Sequence, residues 1–231
     1  MLILALNCGS SSVKYQLFRW GKKEVVTKGM VERIGIVGSF ISFDIPGKGE
    51  QKIEFNCPDH KTALKQIAEI LAHGEYGVLK NLSEIAAVGH RVVHGGEKFK
   101  SSVIITEEVL DAIKSVKDLA PLHNPPNIVG IEAAKDLLPS IPHIAVFDTA
   151  FHQTMPEHAY IYPVPYEWYG MYGVRRYGFH GTSHLYVSRR AASILNKKPS
   201  DTNLITLHIG NGVSITAIKN GISVDTSMGL T

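Results

Sequence analysis

The sequence predicts an α/β fold built on a mixed sheet, and three observations predict it. Short alternating segments joined by tight turns run from Leu2 to Phe55; strands then alternate with helix-period segments as far as Asp148; and the opening pattern returns about 200 residues downstream. Leu2 to Leu6 has the length and apolarity of a buried strand, and Val13 to Phe18 alternates as a second. Between them lie Asn7, Gly9, Ser10, Ser11 and Ser12, followed by Lys14. Small residues let backbone N–H groups turn toward one point, and such a concavity with hydroxyls and one lysine suits a phosphate. The GxxxxGK[ST] spacing is absent and the loop leads into a strand, so this is not a Walker loop. An ordinary Ser/Gly hairpin turn reads the same residues.

Val25 to Val31, Ser39 to Pro46 and Gln51 to Phe55 read as further strands of an antiparallel meander. The period then changes. Asp59 caps a helix whose Leu64, Ile67, Ala68 and Leu71 fall on one face, and Gly74 is placed to end it. Ile85 to Val93 is a strand, Thr106 caps a helix with Glu107 and Glu108 in its first turn, Asn124 precedes a helix through about Leu137, and His143 to Asp148 is a strand. After an aromatic and Pro-rich connection from Thr149 to Gly181 come a helix from about Ser183 to Leu195 and a strand from Leu204 to Ile209. Gly210, Asn211 and Gly212 then form a small polar turn, Val213 to Lys219 alternates, Asn220–Gly221 signals a type I′ hairpin and Ile222 to Val224 returns. The duplicated hairpin suggests two similar lobes, 1–149 and a second from 150 to 231, each offering a phosphate loop to a shared cleft. A second lobe like the first has only its first strands by Thr231, so a longer parent protein is expected.

Composition narrows the function. The chain has 231 residues, 44% of them hydrophobic, and a formal charge of +3. With no run of five like charges, neither a nucleic-acid stripe nor a membrane-surface patch is indicated, and small molecules are the expected partners. Asn7 and three serines interrupt the first apolar run too early for a signal peptide or spanning helix, so a cytoplasmic location is expected. Two cysteines, Cys8 and Cys57, fit a reducing compartment. Cys8 reads as a small buried residue beside the loop rather than a nucleophile, since no histidine flanks it.

Six stretches carry a resemblance: NCGSSSVKYQL at 7–17, GHRVVHGGEKF at 89–99, PLHNPPN at 121–127, FDTAFH at 147–152, RRYGFHGTSH at 175–184, and HIGNGVSITAIKNG with VDTSMG at 208–229. Their order and extent resemble the N-terminal half of the acetokinase family, within the actin, hexokinase and Hsp70-like superfamily. The resemblance implies a duplicated actin-like ATPase (ribonuclease H-like) fold, one complete lobe plus the beginning of the second. It implies reversible, direct in-line transfer of the γ-phosphoryl group of ATP to acetate, giving acetyl phosphate and ADP, with Mg²⁺ or Mn²⁺. It also implies homodimers formed largely through the second lobe. Segments carrying the adenosine pocket, a second arginine and an acidic metal ligand lie beyond Thr231 in the family.

Phosphoryl transfer to a carboxylate needs no strong base, because the acceptor is already ionised; it needs charge neutralisation and in-line placement of two anions. Arg91, at the end of a strand, offers a bidentate guanidinium for carboxylate and phosphoryl oxygens, against a plain surface arginine. Asp148 ends an apolar strand, where an acid is costly to bury unless it meets a metal or cation; a turn cap is the competing reading. His180, between Gly178 and Gly181, suits hydrogen-bond donation to a phosphoryl transition state, with a phosphoryl-accepting nucleophile as the alternative. The resemblance makes Arg91, Asp148 and His180 catalytic and gives Asn7 and Asp148 to the metal. It lines the phosphates with Asn7, Ser10, Ser12, Lys14, His208, Asn211 and Gly212, and adds His123 in support. It places Val93, Leu122 and Phe179 around the methyl end of the substrate, though each also reads as core. Most of the 11 histidines read as structural or exposed, and zinc spacing such as HExxH is absent. The rival functions are a propionate or butyrate kinase, an actin- or Hsp70-like nucleotide switch without an acceptor, and a piece that catalyses nothing by itself.

Overall fold

The computed structural model describes residues 1–45, 47 and 49–230. Pro46, the expected end of the strand beginning at Ser39, and Thr231 lie outside the described residues. The opening hairpin pairs β1 (Leu2–Cys8) with β2 (Ser12–Arg19) antiparallel, and alternation decides its faces. Leu4, Leu6, Cys8, Val13, Tyr15 and Leu17 are buried, whereas Ala5 and Lys14 are exposed. β3 (Glu24–Glu32), β4 (Phe40–Ile45) and β5 (Gly49–Glu54) extend the meander antiparallel, as the short connections require.

α1 (His60–Leu71) starts where the Thr62 N–H donates to the Asp59 carboxylate at 2.7 Å, and it buries Ala63, Leu64, Ile67 and Leu71. Gly74 does not end it. The helix stops at Leu71 because the N–H groups of Val78 and Leu79 both fold back onto the Leu71 carbonyl at 3.0 Å. β6 (Ile85–Val92) then runs parallel to β1, an arrangement that needs the crossover α1 supplies. A strand of two residues, β7 (Val103–Ile104), is too short to show a period and went unread in the sequence. Thr106 Oγ1 accepts from the Val109 N–H at 3.3 Å to open α2 (Glu107–Ser115). α3 (Asn124–Leu137) has His123 at its cap position, so Asn124, expected to precede the helix, is its buried first residue. Pro125 and Pro126 follow, tolerated because first-turn N–H groups have no partner within the helix. With β8 (His143–Phe147), the large sheet has the order β5-β4-β3-β2-β1-β6-β8-β7.

The long connection carries two short helices, α4 (Glu157–Tyr160) and α5 (Glu167–Tyr172), before α6 (Gly181–Ile194). A three-stranded antiparallel sheet follows, ordered β11-β10-β9, from β9 (Leu204–Ile209), β10 (Val213–Lys219) and β11 (Ile222–Thr226). Asn220 and Gly221 both have positive φ, 53° and 76°, as a type I′ turn requires. The second antiparallel hairpin, β9–β10, follows the opening one with a turn one residue shorter, three residues between Ile209 and Val213 against four between Cys8 and Val13. Gly9 N–H bonds the Ser12 carbonyl at 2.8 Å in the first turn, and Gly210 N–H bonds the Gly212 carbonyl at 3.0 Å in the second.

The chain forms two compact units: Met1–Val92 with Ile104–Lys114 and Leu122–Ala145, and Val93–Val103 with Ser115–Pro121 and the residues from Val146 onward. A single division at 149 follows chain continuity, but residues 93–103 and 115–121 pack with the second unit. Phe99 stacks on Phe147 with ring centroids 4.5 Å apart, and Glu97 pairs with the buried Arg175.

In the first unit α3 lies directly against the end of β1. A Cβ built on Gly130 falls 2.8 Å from the Cys8 Cβ and closer still to its Sγ. Gly130→Ala is therefore expected to destabilise the fold by about 1–3 kcal/mol through overpacking. Urea denaturation checks this, and the double variant with Cys8→Ala recovers part of the loss; an unchanged midpoint for Gly130→Ala refutes it.

Candidate active site

In the first unit, strand register assembles a polar cluster that spacing alone did not show. Asn7 pairs with Lys14 across the first hairpin, and the parallel register that sets Leu6 against His90 carries Arg91 to the level of Asn7. Leu6, His90 and Val13 point into the core, so by alternation Asn7, Arg91 and Lys14 share the opposite face, at the carboxyl ends of β1 and β6. Ligands of sheets with parallel strands bind at such ends. Arg91 is half-buried rather than a fully exposed surface residue. Ser10 is exposed and Ser12 half-buried in the turn. Leu122 and His123 lie exposed just before α3, Leu122 with 78% of its surface accessible.

Two buried side chains that the sequence reading missed hold this turn. Asn127 Nδ2 donates to the Cys8 carbonyl at 2.7 Å, and His60 Nε2 lies 2.7 Å from the Gly9 carbonyl. Both come from helices, α3 and α1, and their hydrogen bonds satisfy these two buried-side carbonyls and fix the backbone of the turn. Burial pushes the Cys8 thiol up to about 12, so it packs as a thiol and carries no nucleophilic thiolate, as expected.

In the second unit Asp148 follows β8 directly and is 2% exposed, with its carbonyl accepting the Gly181 N–H at 2.9 Å. His180 caps α6 with φ 57°, in the left-handed region, and stacks on His208 with centroids 4.0 Å apart. A Cβ on Gly212 would lie 3.2 Å from His180 Nε2, so that glycine's lack of a side chain lets the imidazole reach the β9–β10 turn. Asn211 is exposed at its tip. Val93 and Phe179 are buried, while Leu122 is not, so the three expected apolar wall residues differ sharply in exposure.

Behind His180 lies a set of hydroxyl-bridged imidazoles. Ser214 Oγ is 2.9 Å from His180 Nδ1 and 2.8 Å from His184 Nε2; Thr206 Oγ1 is 2.7 Å from His184 Nδ1. His208 Nδ1 meets Ser183 Oγ at 3.0 Å, and His152 bridges Ser223 Oγ and the Phe179 carbonyl at 2.9 and 3.0 Å. Burial holds His152 and His184 down to about 4, with neighbouring imidazoles pushing the same way, so both are neutral near pH 7. His184 follows His180 by one helical turn, a spacing that marks a shared face; its partners Ser214 and Thr206 carry no such signal.

A lysine and an arginine beside a small-residue hairpin, a second small-residue hairpin and a histidine at a helix cap are features whose chemistry suits phosphate groups. The chain belongs to the acetokinase family, whose model matches residues 2–231. It is 70% identical over 231 residues to an acetate kinase of Geobacter metallireducens, covering all of this chain and 55% of that protein. An acetate kinase of Carboxydothermus hydrogenoformans is 57% identical, with 58% of its length covered. Among solved structures, Porphyromonas gingivalis acetate kinase superposes with a TM-score of 0.96 at 52% identity, covering all of this chain and 58% of that one. A propionate kinase from Francisella tularensis superposes at 0.92 with 43% identity over the same share of each chain. The chain thus spans a little over half the length of the relatives it matches.

Proposed function

We propose that the protein carrying this chain is an acetate kinase, transferring the γ-phosphoryl group of ATP to acetate to give acetyl phosphate and ADP, reversibly and in line. The observation that carries this reading is the placement of Arg91, Asn7 and Lys14 on one sheet face at the strand ends, within a chain so close to acetate kinases. In it, the Arg91 fork binds the acetate carboxylate and an incoming phosphoryl oxygen together, which cancels the repulsion between two anions. Asn7, Ser10, Ser12 and Lys14 hold the polyphosphate from the first hairpin, and His208, Asn211 and Gly212 from the second. His180 donates a hydrogen bond to the transferring group as its charge redistributes. His123 supports the site, and Val93, Leu122 and Phe179 bound the substrate's methyl end.

Among the described residues no group of three His, Cys, Asp or Glu side chains comes together to ligate a metal. A hard dication that keeps several waters and takes the rest of its ligands from phosphates needs fewer, and in this proposal Asp148 and Asn7 would each offer it an oxygen. Mg²⁺ or Mn²⁺ would neutralise phosphate charge there. The proposed lobes are 1–149 and the part of a second from 150 to 231. The enzyme is proposed to be cytoplasmic and homodimeric; among the described residues no helix is long and apolar enough to cross a membrane.

A second reading, phosphorylation of propionate, is favoured by the likeness to the Francisella propionate kinase, because one methylene in an apolar pocket discriminates by only about 1–3 kcal/mol. Trapping acyl phosphate with hydroxylamine, using the full-length protein, Mg-ATP and acetate, propionate or butyrate in turn, decides. Acetate preferred is the expected result, and a longer acid preferred changes the substrate but not the mechanism. ATP bound with no acyl phosphate from any acid replaces the kinase with a nucleotide switch.

A further inference from the structure

We propose that His94 is a positioning residue for the acyl end of the substrate: its imidazole closes the turn that follows Val93 and packs against Phe179, and so limits how long an acid the pocket admits. The inference rests on the reading of Val93 and Phe179 as walls at the substrate's methyl end. Both walls and the residues named below belong to the second unit. His94 follows Val93 directly and is fully buried. Its ring meets that of Tyr177 edge-on with centroids 4.3 Å apart and lies 5.9 Å from that of Phe179, and both of those rings are buried in turn.

The polar side of the imidazole is fixed by the backbone. Gly96 N–H donates to His94 Nδ1 at 2.9 Å. A backbone N–H can only donate, so this ring nitrogen is an acceptor and the proton of the neutral ring is on Nε2. Burial agrees, holding His94 down to about 4, so the ring is neutral near pH 7. The bond spans two residues, as in an Asx turn, with an imidazole nitrogen in place of a side-chain oxygen. Gly96 takes φ 60° in the same turn, where a side chain would be strained. The next residues are pinned separately. Gly95 N–H donates to Thr149 Oγ1 at 3.3 Å, Gln153 Nε2 donates to the Gly96 carbonyl at 2.9 Å, and Glu97 pairs with Arg175. A Cβ on Gly95 would lie 2.7 Å from Phe147, so the turn is also closely packed. These contacts hold residues 95–97, whereas the His94 ring ties the same turn to Phe179, whose carbonyl lies 3.0 Å from His152 Nε2. Removing the ring leaves space beside Phe179 and loosens the turn after Val93, and both changes make room for a longer acid.

The test is steady-state kinetics of the full-length protein with Mg-ATP and acetate, propionate or butyrate. His94→Ala is expected to lower the acetate-over-propionate ratio of kcat/KM about three- to tenfold, part of what one methylene can discriminate. KM for acetate rises while KM for ATP stays within about twofold, because only the acyl end is loosened. His94→Asn keeps an acceptor for the Gly96 N–H but not the ring, and an intermediate ratio is expected of it. Should His94→Ala fail to fold, His94→Asn decides by the same ratio. A ratio unchanged in a folded variant, or a loss shared equally by all three acids, overturns the proposal. So does an Nδ1–H tautomer at His94 of the wild-type protein, read by long-range ¹⁵N–¹H correlation near neutral pH. If the wild-type protein forms no acyl phosphate from any acid, the kinase reading and this inference fall together; acyl phosphate from the wild type with the ratio unmoved in both variants strikes the inference alone.

Discussion

Arg91→Ala is expected to lower kcat of the full-length protein by a factor of about a hundred or more, because removing one preorganised charge from a phosphoryl transition state costs about 2.7–4 kcal/mol. Geometry supports so large an effect. Arg91 is half-buried at the end of β6, and strand register sets it beside Asn7 and on the face of Lys14. Lysine in its place keeps the charge but loses the planar fork, so Arg91→Lys should remain well below wild type. Steady-state kinetics in both directions check this, and Arg91→Ala activity within about threefold of wild type removes Arg91 from the mechanism.

Acid should unfold the protein steeply. Four buried histidines are held neutral: burial pushes His90 down to about 3, with His143 adding to it, and pushes His94, His152 and His184 to about 4. Their packing explains this. His90 Nε2 meets His143 Nδ1 at 2.9 Å, while His143 Nε2 meets the Leu138 carbonyl at 3.0 Å, so the pair has its proton places filled while neutral. A folded-state pKa below the unfolded value of about 6.5 means that the unfolded chain binds protons the native state refuses. The stabilisation is complete above about pH 6.5 and is lost as pH falls toward 4. Each such histidine contributes a slope of about 1.4 kcal/mol per pH unit, and four together about 5 kcal/mol per unit near pH 5. That compares with about 5–15 kcal/mol of total stability for a typical domain. Urea midpoints measured from pH 7 to 4 should fall steeply below 6.5, and a midpoint flat from 7 to 5 refutes the account.

Much of the fold and the family was legible in the sequence alone, because the signals are local. Alternation over Val13 to Phe18, the Asp59 cap, the apolar face of α1 and the Asn220–Gly221 turn each depend on residues within a few positions of one another. Glycines, serines and histidines in fixed short stretches carried the resemblance and named Arg91, Asp148 and His180. Tertiary structure decided what depends on distant pairs. Only the β1–β6 register puts Arg91 beside Asn7, and only the packing of α1 and α3 turns His60 and Asn127 toward the carbonyls of Gly9 and Cys8. The same holds for the assignment of residues 93–103 to the second unit and for the hydroxyl of Ser214 between two imidazoles. A histidine reads alike in sequence whether it is solvated or buried; the partners that fill its ring nitrogens come from strands and helices tens of residues away, and they determine whether it holds a proton, passes one on or simply packs.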